Sequence, residues 1–138
     1  MKAILLSSLL SITAVASERQ IIAATILGEA RGEGFKGMYA VACVLKERAE
    51  QSGRTVAAEC LRPKQFDANR NGSPVHLLDS SKEATYALFL ADNLDRLDRD
   101  WIGRATHFVN LAVAKPKWAE GRAPTKIVKN HTFFRLDS

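Results

Sequence analysis

Cysteine is nearly missing from this chain: there are two in 138 residues, Cys43 and Cys60. Two thiols alone make no zinc site. They leave room for one disulfide, which would add about 3 kcal/mol, or for two small buried apolar side chains. Histidine is scarce as well, and His76, His107 and His131 lie too far apart to read as a metal-binding motif. Neither residue type supplies a recognisable metal site. Past the first sixteen residues no apolar run is long enough to cross a membrane, which takes about 20 residues. There is no internal repeat and no low-complexity tract, so solenoid and disordered architectures are excluded. The length allows one domain and not two.

What is present begins with an export pattern. Met1-Lys2 is a short basic start, Ala3 to Val15 is apolar or small, and Ala14-Val15-Ala16 is the small-x-small sequence a signal peptidase accepts. Residues 1–16 are expected to be a signal peptide and 17–138 the functional domain. That would place the protein outside the cytoplasm, in the periplasm or cell envelope or beyond it. Removing residues 1–16 takes away Lys2 alone and leaves nineteen basic against fifteen acidic residues, about +4. A basic balance favours polyanions. No nucleic-acid motif accompanies it, and export makes nucleic acid the weakest partner. Acidic lipid and the anionic cell wall both remain, and a monomer is expected.

The order of elements suggests an α+β domain, mainly helical, with a small antiparallel β element near the C-terminus. Ser17 and Gln20 form a capping box ahead of the apolar run Ile21–Leu27. Gly28, Gly32 and Gly34 are expected to stop that helix. A second helix is predicted from about Phe35 to Ala49, with Lys46, Glu47 and Arg48 as a charged end. Thr55 can cap a short helix through Leu61. Residues 62–80 read as a long loop. Ser80 and Glu83 form a second capping box before another helix. Residues 105–110 look like a strand, and Lys126-Ile127-Val128 and Thr132 to Arg135 pair as a hairpin with Lys129-Asn130 at the turn.

Glu29 is the most informative residue. It follows a helix with few polar residues, so its carboxyl is expected to be partly desolvated, which favours the protonated form. Such an acid can protonate a leaving oxygen near neutral pH. The surrounding glycines remove side chains and let a bulky polymer approach.

The segment Ala24–Gly34, followed by Gly37–Ala42, resembles the signature of SleB-type cell wall hydrolases, the catalytic domains of spore cortex-lytic enzymes and their relatives. Pro63-Lys64-Gln65-Phe66, His107–Asn110, Pro116–Ala119 and Asn130–Phe134 resemble four later blocks of the family, in the same order. The resemblance covers roughly 22–134. It implies a lysozyme-like fold and one catalytic glutamate, mapped to Glu29. It implies cleavage of peptidoglycan glycan strands between N-acetylmuramic acid and N-acetylglucosamine, as a lytic transglycosylase. A conventional glycosidase needs two carboxylates; a transglycosylase can use one residue twice, and the scheme the resemblance implies calls on no metal or organic cofactor. Glu33 and Asp67 are candidates for assistance, Asp67 standing where relatives often carry serine. Gln65, Phe66, His107, Asn110, Trp118 and His131 are candidate sugar-binding residues, with His107 and Asn110 expected on one side of the strand. The alternatives are a muramidase that hydrolyses the same bond and a non-catalytic peptidoglycan-binding module.

Overall fold

The computed structural model describes residues 15–62 and 74–137. The first helix, α1 (Glu18–Ala30), opens on the expected capping box. Gln20 N–H donates to Ser17 Oγ at 3.1 Å, and Ser17 N–H donates to the Gln20 side chain at 3.0 Å. The helix does not stop at Gly28 as the sequence suggested. It continues through Gly28 and Glu29 to Ala30. Glycine costs a helix interior about 1 kcal/mol. Burying a leucine returns about 1.5 to 3 kcal/mol, and Leu27 and Ala30 are both fully buried, so packing holds the last turn.

A single 3₁₀ turn, Arg31–Glu33, separates α1 from α2 (Gly34–Ser52). Gly34 makes the junction with φ 73° and ψ −178°, a backbone region that favours glycine. Two short helical elements follow the pattern at lower fidelity. In α3 (Val56–Cys60), Ala58 N–H donates to Thr55 Oγ1 at 3.1 Å, as expected. In α4 (Lys82–Asp92) the N-cap is Ser81 rather than Ser80. Asp79 Oδ1 accepts from Ser81 N–H at 2.9 Å, and this turn shifts the start by one residue.

The sheet is antiparallel with order β1-β3-β2, from β1 (His107–Val109), β2 (Lys126–Val128) and β3 (His131–Phe134). Lys129, at φ 54°, turns the predicted hairpin. Phe108 faces Phe133, which faces Lys126, while His107 pairs with Phe134 on the other side.

Helix α2 is the central element. Met38, Val41, Ala42 and Leu45 meet α1, α3 and α4 in one apolar cluster. Ala40, Cys43 and Val44 meet Ile102, Val128 and Phe133 in a second, against the sheet. Cys60 belongs to the first cluster and Cys43, on α2, to the second; both are buried thiols and they are not bonded to each other. The disulfide left open by the sequence is not formed. Burial above all pushes each thiol up to about 12, so neither is a ready nucleophile.

The charged end of α2 is not a solvated face. Glu47 is buried, and three guanidinium groups reach it: Arg99 at 2.8 Å, Arg135 at 3.2 Å and Arg104 at 3.5 Å. Together they tie the helix to the chain before and after the sheet.

Candidate active site

Glu29 occupies the penultimate position of α1 and is partly buried. It lies four residues after Thr25, so the two share a helix face. Thr25 is fully buried and its hydroxyl donates to Ile21 O at 2.8 Å. Thr25 and Glu29 both act on the buried Cys60 thiol, whose pKa is raised first by burial, lowered by the Thr25 contact, and raised by the Glu59 and Glu29 charges. Glu29 therefore sits on the α3 side of α1.

The link after α1 is fixed at both sides. Arg31 Nη2 donates to Leu77 O, Asp79 and Ser81 Oγ, each at 3.3 Å, anchoring the link to the approach to α4. Glu33 is buried and points toward the sheet. Its two carboxylate oxygens accept from Asn130 N–H at 3.1 Å and Asn130 Nδ2 at 2.9 Å. His131 Nδ1 is 3.5 Å from Glu33 without making a hydrogen bond. Glu33 is thus tied to the hairpin tip. Gly37 makes this packing possible: a Cβ there would lie 2.4 Å from Glu33 Cβ.

Further along the same flank, Glu59 is fully buried. Arg48 and Arg62 reach it at 3.0 and 3.1 Å, Arg54 at 3.8 Å, and Ser52 Oγ donates at 3.0 Å. Burial alone would raise its pKa, but hydrogen bonds from Arg48, Ser52 and Arg62 hold it below the usual carboxylate range. Arg48 also donates to Thr106 O at 3.3 Å, joining α2, α3 and the start of β1. A cavity of about 310 Å³ opens here, with Arg48, Glu59, Arg62 and His107 in its wall.

The predicted sugar-binding residues separate. His107 is partly buried, and burial with the charges of Arg48 and Arg122 lowers its pKa to about 4. Its ring lies 5.0 Å from Trp118, which meets Phe134 edge-on at 5.5 Å. Both therefore belong to the outer face of the sheet. His131 belongs to the inner face, with Phe108 at 4.9 Å. His107 and Asn110 do not share a side. Three residues apart, they differ in strand parity, and Asn110 closes a turn by accepting from Ala112 N–H at 3.0 Å. Gln65, Phe66 and Asp67 lie outside the described residues. Among the described residues, no group of three or more His, Cys, Asp or Glu side chains could hold a metal ion.

The Glu47 and Glu59 ion clusters were missed in the sequence. Their guanidinium partners Arg99, Arg104 and Arg135 for Glu47, and Arg48 for Glu59, are eleven or more residues away, beyond the reach of any helix spacing rule.

A helical lobe with a glutamate at the end of its first helix, packed on a three-stranded antiparallel sheet, defines the class, and the comparisons agree. Residues 32–134 match the model of the Cell Wall Hydrolase family, and the chain belongs to that family. The match begins three residues after Glu29, so it does not itself reach that side chain. Among solved structures, the chain is similar to the catalytic domain of the germination-specific lytic transglycosylase SleB from Bacillus anthracis. Identity is 28%, the TM-score 0.69, and the match covers 87% of this chain and 96% of that one. For the catalytic domain of the Bacillus cereus SleB protein the values are 28%, 0.68, 87% and 92%. The fold is that of the SleB catalytic domain. A spore cortex-lytic enzyme of Bacillus cereus is 29% identical over 119 residues, 83% of this chain. The chain spans 42% of the length of that relative.

Proposed function

We propose that this chain cleaves peptidoglycan glycan strands between N-acetylmuramic acid and N-acetylglucosamine as a lytic transglycosylase, with Glu29 as acid and then base. The observation that carries this is the position of Glu29: partly buried, in the last turn of α1, just after the continuously buried run Ile22–Leu27. Glu33 holds the hairpin through both oxygens, and Glu59 is held ionised by arginines. Membership of the cell wall hydrolase family and similarity to a lytic transglycosylase domain support the same chemistry.

In the first step the Glu29 carboxylic acid protonates the glycosidic oxygen as the C1–O bond breaks. The C6 hydroxyl of the same muramic acid then attacks C1. Its proton passes to the Glu29 carboxylate, restoring the acid and leaving a 1,6-anhydro end. One residue used twice requires no second carboxylate, in contrast to the paired acids of hydrolysing glycosidases. The export pattern at 1–16 supports a setting at the cell envelope for this activity.

Digestion of isolated cell walls, with mass spectrometry of the released muropeptides, tests the proposal. Anhydro ends are expected. Reducing ends would assign the muramidase alternative, and wall retention without release would assign a non-catalytic binding module.

A further inference from the structure

On the flank of α2 opposite Glu33 and Glu59, aromatic side chains form a second groove. At 3.6 residues per turn, Phe35 and Tyr39 lie about half a turn from Gly37 and Arg48, which face the Glu33 and Glu59 side. The groove encloses about 330 Å³ between α2, α4 and the 3₁₀ turn Arg99–Ile102. Small-molecule sites start at about 300 Å³. One wall is Phe35 and Tyr86, 4.7 Å apart, and beyond the groove Phe89 extends the row of rings by stacking on Tyr86 at 6.1 Å. The opposite wall is Trp101, held edge-on by Tyr39 at 5.9 Å, with Lys126 Nζ 5.0 Å over its ring. Tyr39 is fixed in turn, its hydroxyl accepting from Asp98 N–H at 2.7 Å. Lys36 and Asp98 complete the lining. Phe35 is 45% exposed and Phe89 57%.

Open aromatic faces in water are costly unless something covers them. The composition of this groove selects the occupant. Ring faces carry negative quadrupole density and accept the weakly positive C–H face of a pyranose. Lys36 and Lys126 supply cationic donors for carboxylates, and Asp98 accepts from hydroxyl or amide groups. Rings flanked by isolated charges suit an acidic polysaccharide better than an apolar helix.

We propose that this groove is a second glycan-binding site, which holds a peptidoglycan strand by ring stacking and by pairing Lys36 with muramyl or stem-peptide carboxylates. This rests on the peptidoglycan reading above. Its effect is one of attachment: a second contact on the same polymer makes the first effectively intramolecular.

The test uses Phe35→Ala and Lys36→Glu, two substitutions of exposed side chains, each made in the wild-type chain and in Glu29→Gln. Retention of the Glu29→Gln protein by purified walls is expected to weaken about tenfold with Phe35→Ala and several-fold with Lys36→Glu. Binding of uncharged chitin oligosaccharides, followed by Trp101 indole shifts, should be weakened by Phe35→Ala and left unchanged by Lys36→Glu. With Glu29 intact, both variants should cut short soluble glycan fragments at the wild-type rate while dissolving intact walls more slowly. Unchanged wall retention in both variants overturns the proposal. So does a concentration-dependent dimer, seen by sedimentation, that Phe35→Ala abolishes, since a second copy would then be the occupant. Failure of the wild-type chain to release any muropeptide removes the transglycosylase assignment instead, and the retention measurements stand apart from it.

Discussion

Along one flank of α2, Gly37, Arg48 and Ser52 face carboxylates; along the other, Phe35 and Tyr39 face rings. The two flanks solve different physical problems. A buried carboxylate must be matched by donors or it is strongly destabilising. Glu33 and Glu59 therefore have their oxygens engaged, and those bonds tie the hairpin, α3 and β1 to α2. Stacked rings need no such matching, and they remain open to solvent. The first flank is consequently stiff and suited to hold one acid in place. The second is a surface on which a polymer can lie.

The sharpest break in this contrast is Glu29→Gln. Muropeptide release should fall about 10²- to 10⁴-fold, the usual contribution of a general acid, with an unchanged unfolding temperature. A variant that loses stability instead would make Glu29 one more structural carboxylate. Glu59→Gln should do the reverse, leaving three guanidinium groups around a neutral amide. A loss of about 3 to 5 kcal/mol is expected by denaturant titration. Gly37→Ala pushes a methyl into Glu33, and overpacking of this kind costs about 1 to 3 kcal/mol. Glu33→Gln keeps the shape but weakens charge-assisted bonds to Asn130, for about 1 kcal/mol. It should slow wall cleavage far less than Glu29→Gln does.

The smallest effect is one of pH. His107 has a folded pKa of about 4, below the ordinary 6.5, so between those values the unfolded chain binds more protons. Stability should therefore be fully present above about pH 6.5 and decline as pH falls toward 4. The lowered pKa of His131, due to burial opposed by Glu33, acts in the same direction. Replacing His107 with glutamine should flatten that slope, and NMR titration of its ring should give a midpoint near 4. A midpoint at the ordinary value would place the ring in open solvent.

Much of this fold was legible from local pattern. The Ser17 cap, the α2 stripe, the Thr55 cap and the Lys126–Phe134 hairpin depend on neighbours within four residues or on a two-residue turn, and those signals lie in the sequence itself. Gly28 misled because helix propensity counts glycine against a helix, while the buried Leu27 and Ala30 decide the matter by packing. Ser80 misled because Asp79 captured Ser81 N–H, a choice between adjacent serines that spacing cannot make. For the site, Glu29 stood out as an acid beside an apolar run. Glu33 stood out too, but its partner Asn130 is 97 residues away and no spacing rule connects them.

The sequence by itself determined the helical order, the hairpin and the acid at the end of the first helix, because periodicity and capping are properties of short stretches of chain. Only the tertiary structure decided which carboxylates are spoken for. It alone set His107 on the outer face with Trp118, kept Cys43 from Cys60, and gathered Phe35, Tyr86 and Trp101 into one groove. Those outcomes depend on which elements α2 brings together from distant parts of the chain, and burial and pairing exist only once it has done so.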